Sequence, residues 1–268
     1  MYNPFEYIIL DNELKNKVID FENSNKDRVR ILADKCINKG FRILHRTDDL
    51  TKLAVVLECT RLTKEKYDKI GINNQIFADT MSDINIWCRN NGNKGLKNTE
   101  WIKNHINCEL FRIGRLQYQM FTCRSKSINY KNLPFESGDK MIYIHIPQGE
   151  RLIYDECISS INDAISFFAE YFPDYYYRYF FCESWLLYED NYLFMNPMSN
   201  ILQFSSLFKI IKSSADDSQA IERIFGKKEL FKKNYAEKTT LQKSAKAFML
   251  EGGKLGIGIG FIDKSDFE

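Results

Sequence analysis

The residues whose types and spacing could do chemistry begin with His145. It closes the run Lys140-Met-Ile-Tyr-Ile-His-Ile146, which is followed by Pro147-Gln-Gly-Glu-Arg151 and then by an apolar helical pattern from Tyr154 to Phe172. A strand that hands a loop to a helix N-terminus gathers unpaired amides and the positive end of the helix dipole, which together favour anions. An imidazole at that point can move protons near neutral pH. Alternation puts Met141, Tyr143 and His145 on one face and Ile142, Ile144 and Ile146 on the other, with the isoleucines expected toward the core. His145 then reads either as an acid–base group on the less apolar face or as a buried histidine bonded to backbone.

Two further constellations carry polar groups into apolar runs. Leu110 to Thr122 alternates in part and reads as a strand, with Arg115, Gln117 and Gln119 on one face. Aligned polar groups in a sheet need partners, so they either meet a ligand or face solvent. Tyr177 to Leu187 reads as a buried strand, with Glu183 sharing a face with Phe181 and Trp185. A carboxylate enclosed by aromatics is disposed to keep its proton and could serve as acid or base. Cys182 and Ser184 read as nucleophiles or as a structural thiol and a backbone-bonded hydroxyl. No Gly-x-Ser-x-Gly elbow surrounds Ser184.

The elements that must position these groups fall into two parts. Up to residue 109 the pattern is helical, with helices expected at 12–21, 26–37, 48–62, 63–70, 74–90 and from 98 onward. From residue 110 strands and helices mix, with strands near 110–122, 140–146, 177–187, 207–212 and 254–262, helices at 154–172, 219–225 and 239–250, and a polar loop at 125–138. The expected fold is therefore α+β, an all-helical domain 1–109 packed on a mixed α/β domain 110–268. The terminal Gly256-Ile-Gly-Ile-Gly260 is not a dinucleotide fingerprint, because a helix precedes it and none follows. Its glycines share one face of a strand, which lets aromatic rings, or alternatively a ligand, approach closely.

Composition narrows the class. Across 268 residues the net charge is +2, too small to call for a nucleic-acid partner. The seven cysteines include no Cys-x-x-Cys pair and sit mostly in apolar segments, as expected of reduced, buried thiols in a cytoplasmic protein. With three histidines and none near a cysteine at ligand spacing, no metal site is expected. Neither a secretory signal nor a membrane-spanning run is expected.

Taken in order, Phe77-Ala-Asp-Thr-Met-Ser-Asp-Ile, Trp101-Ile-Lys-Asn-His, Ile113-Gly-Arg-Leu-Gln-Tyr-Gln, His145-Ile-Pro-Gln-Gly, Ser184-Trp-Leu-Leu, Ser199-Asn-Ile-Leu-Gln-Phe, Thr240-Leu-Gln-Lys and Gly252-Gly resemble a bacterial acyltransferase-domain family within the N-acyltransferase superfamily. Its members join a helical N-terminal domain to a GNAT-like C-terminal domain, and the resemblance spans about residues 70 to 262. It implies an acyl-CoA co-substrate, acetyl-CoA in the first instance, and a small-molecule or peptide amine as acceptor. It places His145, Glu183 and Ser184 at the thioester, Ile146, Gln148, Gly149 and Arg151 at the cofactor, and Arg115, Gln117 and Tyr143 at the substrate. Glu183 stands where the family has histidine. The Arg/Gln-x-x-Gly-x-Gly/Ala phosphate loop is missing, and acidic Glu150 sits between its only stand-ins, Gly149 and Arg151. The rival expectation is a GNAT-like fold that has lost transfer chemistry and binds a small ligand or a protein partner.

Overall fold

The computed structural model describes residues 2–124, 126 and 128–267. The chain forms two compact units, one of Met1–Gln119, Ile146–Glu150 and Ser166–Pro173, the other of Met120–His145, Arg151–Ile165 and Asp174–Glu268. Strand β2 and helix α5, defined below, each run from one unit into the other.

The first unit is built on helices α1 (Asn12–Lys39), α2 (Asp49–Ile70), α3 (Asn74–Asn90) and α4 (Thr99–Ile106). Two expected helices are joined in α1, whose backbone leaves helical geometry only at Asn25. There the Asn25 side-chain amide donates to the Phe21 carbonyl at 2.9 Å, so a side chain serves the acceptor that the kink exposes. Helix α2 likewise absorbs two expected segments. Asp48 caps it by accepting from Thr51 N–H, and Gly71, at φ 90°, ends it in the left-handed region. Leu53 to Leu57 are all fully buried, so this helix is enclosed nearly all round.

The strand expected at 110–122 is a hairpin. Strands β1 (Leu110–Ile113) and β2 (Leu116–Thr122) pair antiparallel about the two-residue turn Gly114-Arg115. Gly114 takes φ 61°, which a side chain would resist. Behind β1, Phe111 gathers the rings of Tyr67, Phe167 and Phe172 at 5.0–5.8 Å.

The second unit carries β3 (Lys140–His145), most of α5 (Tyr154–Tyr171), β4 (Tyr179–Ser184), α6 (Asn200–Ser205), β5 (Lys209–Ser214), α7 (Ser218–Phe225), α8 (Thr240–Leu250) and β6 (Ile257–Asp263). The sheet is mixed, in the order β1-β2-β3-β4-β6-β5. Strands β3 and β4 are parallel, with α5 as their crossover, whereas β6 is antiparallel to both β4 and β5. Met141, Phe135, Tyr179, Phe181, Ile259 and Phe261 form a buried cluster on one sheet face. The loop expected at 125–138 includes Ser125 and Ser127, which lie outside the described residues. The glycine face of β6 receives what the pattern called for and also backbone. A Cβ at Gly256 would meet the Tyr188 ring, and one at Gly258 would overlap the Leu187 carbonyl.

Candidate active site

In the second unit the chemistry gathers where two parallel strands part. Among the described residues, strands β3 and β4 are in register at Ile142↔Phe180 and Tyr143↔Phe181, while β4 stays paired with β6 as far as Ser184↔Gly258. Beyond that register a side chain of β3 reaches the main chain of β4. The Tyr143 hydroxyl donates to the Glu183 carbonyl and accepts from the Glu183 N–H, both at 3.1 Å. One phenol thus satisfies both main-chain groups of a single residue. Burial pushes the Tyr143 phenol well above its ordinary pKa, with Cys182 and Glu183 adding to the effect, so it stays a neutral donor and acceptor.

His145 lies two residues along the same face and stacks on Tyr143, ring centroids 4.3 Å apart and planes 13° apart. Phe121 and Phe181 each approach the Tyr143 ring at 5.4 Å, which fixes the phenol from behind. Burial on this face falls away along the strand, from fully buried Met141 to half-buried Tyr143 and His145. The structure thus brings His145, Tyr143 and the main chain of Glu183 together.

Two expectations change here. The Glu183 carboxylate is exposed rather than enclosed by aromatics. It shares its face with Phe181 but lies beyond the end of the β3 pairing, where the cluster that buries Phe181 has ended. Ser184 is buried, and its Oγ accepts from Leu186 N–H at 3.2 Å, capping the short 3-10 turn Trp185–Leu187. Its hydroxyl serves the backbone, the structural one of its two expected roles.

In the first unit, Arg115 lies in the hairpin turn instead of on a strand face with Gln117 and Gln119, because the strand stops at Ile113. The side chain is buried, and its guanidinium donates to the Pro147 carbonyl at 3.3 Å and to the Glu150 carbonyl at 2.9 Å. The loop after His145 therefore curls around a cation from the hairpin. Asn90 donates to the Gln148 side chain at 2.9 Å, and Arg112 pairs with the Glu150 carboxylate at 2.8 Å. Gly149 takes φ 106°. Gln148, Gly149 and Glu150 are exposed, and among the described residues their amides make no hydrogen bond. Ile146 is half-buried and Arg151 exposed.

Gln117 is buried elsewhere in this unit, beside a carboxylate the sequence did not single out. Asp83 of α3 accepts from Trp101 Nε1 at 2.7 Å and faces His105 Nε2 at 3.1 Å. Burial alone would raise the Asp83 carboxyl, but His105, Trp101 and Gln117 outweigh it and hold the group below its ordinary range. Gln117 helps in this, yet its Nε2 makes no well-formed hydrogen bond among the described residues. The signal for this cluster was available. Trp101 and His105 stand four apart on one helix, and Asp83 borders the apolar stripe of α3. Arg112 offered no comparable signal, since its partner Glu150 lies far along the chain.

Comparison with known proteins agrees with this architecture. Residues 5–108 match the model of the N-acyltransferase N-terminal domain, and residues 110–262 match that of the GNAT-like C-terminal domain. No curated protein matches in sequence. Solved structures similar to this chain include a mutant acyltransferase in complex with octanoyl-CoA, at 20% identity and TM-score 0.68. An acyltransferase in complex with decanoyl-CoA and teicoplanin is similar at 21% identity and the same TM-score. Each match covers 80% of this chain and 66% of the solved one, so this chain accounts for just under two thirds of their length. At such identities the likeness is one of fold.

Proposed function

The chain belongs to the family that joins an N-acyltransferase N-terminal domain to a GNAT-like C-terminal domain, and on that premise we propose that it transfers an acyl group from acyl-CoA to an amine. The observation that carries the reading is the parting of β3 and β4 beside His145, with a loop of unbonded amides directly after it in sequence. Free amides suit a diphosphate.

The step follows from the groups present. His145, or the exposed carboxylate of Glu183 acting directly or through water, takes a proton from the acceptor nitrogen. The freed lone pair attacks the thioester carbonyl. Main-chain N–H groups stabilise the oxyanion of the tetrahedral intermediate. The C–N bond is formed in that attack; collapse of the intermediate restores the C=O bond, breaks the C–S bond and releases the CoA thiolate, which takes up a proton. Ser184 is assigned to shaping the end of β4, since its hydroxyl is engaged by the backbone. Tyr143 is assigned to the thioester, and Ile146, Gln148, Gly149 and Arg151 to the CoA portion of the donor.

Acetyl-CoA is one donor to try. The octanoyl- and decanoyl-CoA held by similar structures put medium-chain donors beside it, and the glycopeptide bound in one of them favours a small-molecule or peptide amine as acceptor. Seven buried free thiols support a reducing, cytoplasmic setting. Isothermal titration with acetyl-, octanoyl- and decanoyl-CoA tests the proposal. Binding of at least one is expected, and failure of all three would sink it.

A further inference from the structure

A loop that is to hold a diphosphate should not carry a bare carboxylate, yet Glu150 lies within it. The first unit deals with this charge through Arg112. Its guanidinium is fixed by three partners: Nη2 pairs with the Glu150 carboxylate at 2.8 Å, Nη1 donates to Ser82 Oγ at 3.3 Å, and Nε lies 3.4 Å from the Gly114 carbonyl. The Arg112 side chain is 11% exposed and that of Glu150 58%, so a nearly buried cation draws a solvent-facing anion toward the hairpin. Arg115, its neighbour in the hairpin, holds the carbonyls at both ends of the same loop. The Pro147 and Glu150 carbonyls and the Glu150 carboxylate are thus committed to cations from the hairpin, while the amides of Gln148, Gly149 and Glu150 make no hydrogen bond among the described residues.

We propose that Arg112 is a positioning residue for the donor's diphosphate, which neutralises and holds the Glu150 carboxylate so that a loop carrying an acidic side chain can accept an anion. The inference rests on the acyl-CoA reading above and adds to it the way this chain manages without the usual glycines. Arg112 acts through Glu150, not by touching the donor. Without it, the carboxylate is free to swing toward the amides and repel the diphosphate. Glu150 is largely in water, so the repulsion is screened and the loss should be about tenfold in affinity, not a thousandfold.

The test is a double-mutant cycle read by isothermal titration with octanoyl-CoA, and with octanoyl-pantetheine as a phosphate-free probe. Arg112→Gln should weaken octanoyl-CoA about tenfold. Glu150→Gln should bind it as tightly as wild type or more tightly. The double variant should return to within about threefold of wild type. Octanoyl-pantetheine should bind all four proteins alike, which a merely structural effect of Arg112 would not allow. The proposal is overturned if Glu150→Gln loses affinity as Arg112→Gln does, if the double variant stays as weak as Arg112→Gln, or if both probes weaken together. Should Arg112→Gln fail to fold, the exposed position decides alone: Glu150→Lys should bind octanoyl-CoA more tightly, and weaker binding refutes the masking. If wild type binds no acyl-CoA, the broader reading has failed and this one falls with it. Binding by wild type with an indifferent cycle rejects the masking only.

Discussion

Replacing Tyr143 with phenylalanine removes one oxygen and leaves the ring that His145 stacks on. The lost oxygen served both the N–H and the C=O of Glu183. A neutral hydrogen bond contributes about 0.5–1.5 kcal/mol net, so two lost together should cost about 1–3 kcal/mol. Water can reach this half-buried site and replace part of the loss, which favours the lower half of that range, about 1.5 kcal/mol. In a chain of this size that corresponds to a fall in Tm of about 3–6 °C. The catalytic effect should exceed the thermal one. Glu183 would lose the contact that sets its main chain against β3, and misplacement by about 1 Å can cost on the order of a hundredfold in rate. We therefore expect kcat to drop about 10–100-fold with KM for acyl-CoA within about threefold of wild type. Urea denaturation and steady-state kinetics on the Tyr143→Phe protein check this. An unfolding free energy within about 0.3 kcal/mol of wild type, together with an unchanged kcat, would refute the bridging role. The pH dependence gives a second check. A phenol whose folded pKa lies above its unfolded value near 10 contributes stability that is complete below pH 10 and declines as pH rises beyond it. Wild type should lose that increment on the alkaline side, and Tyr143→Phe should not.

Other expectations follow from the same geometry. His145→Gln should lower kcat by about 10²–10⁴-fold, with acyl-CoA affinity retained, and a variant of near-normal kcat would remove His145 from the reaction. Asp83→Asn should cost about 3 kcal/mol, because it leaves His105 and Trp101 facing a neutral amide in a buried site. Since the Asp83 carboxyl is held below its ordinary range, its contribution is present above that range and lost as pH falls through the folded value. The acid limb of a stability–pH curve should accordingly flatten in Asp83→Asn, and an unaltered limb would count against the network. Gly258→Ala should cost about 3 kcal/mol or more in urea denaturation, because the added Cβ meets the Leu187 backbone rather than a flexible side chain, and wild-type stability would contradict that packing.

What could be read from the residues alone tracks how local each cause is. Helix α5 was legible because its apolar residues recur at helical steps, and β3 because its isoleucines alternate. The Gly114-Arg115 turn was not, because a two-residue turn inside an apolar run leaves the alternation unbroken, and a single strand and a hairpin then look alike. The cost of that miss was Arg115, whose partners lie more than thirty residues on. Alternation gives Glu183 its face of β4 but not its surroundings, since where a strand loses its neighbour depends on the register of another segment. His145 is conspicuous from its local setting, and its stacking on Tyr143 is likewise local, two positions along one strand.

The grip of Arg115 on Pro147 and Glu150 bears on how such loops are recognised at all. A phosphate loop is usually sought through its own glycines, as though the segment that meets the ligand must also encode its shape. Here the instruction is written elsewhere: the curve of residues 147–150 is imposed by a guanidinium from a hairpin turn. The loop's own side chains are thereby released from shaping duty, and, if the loop holds the donor's phosphates as proposed, its letters can drift from a phosphate-binding pattern while its form is kept. On the proposed reading, a scan for loop glycines overlooks such a site, and a buried arginine beneath a tight turn is the signal to look for instead.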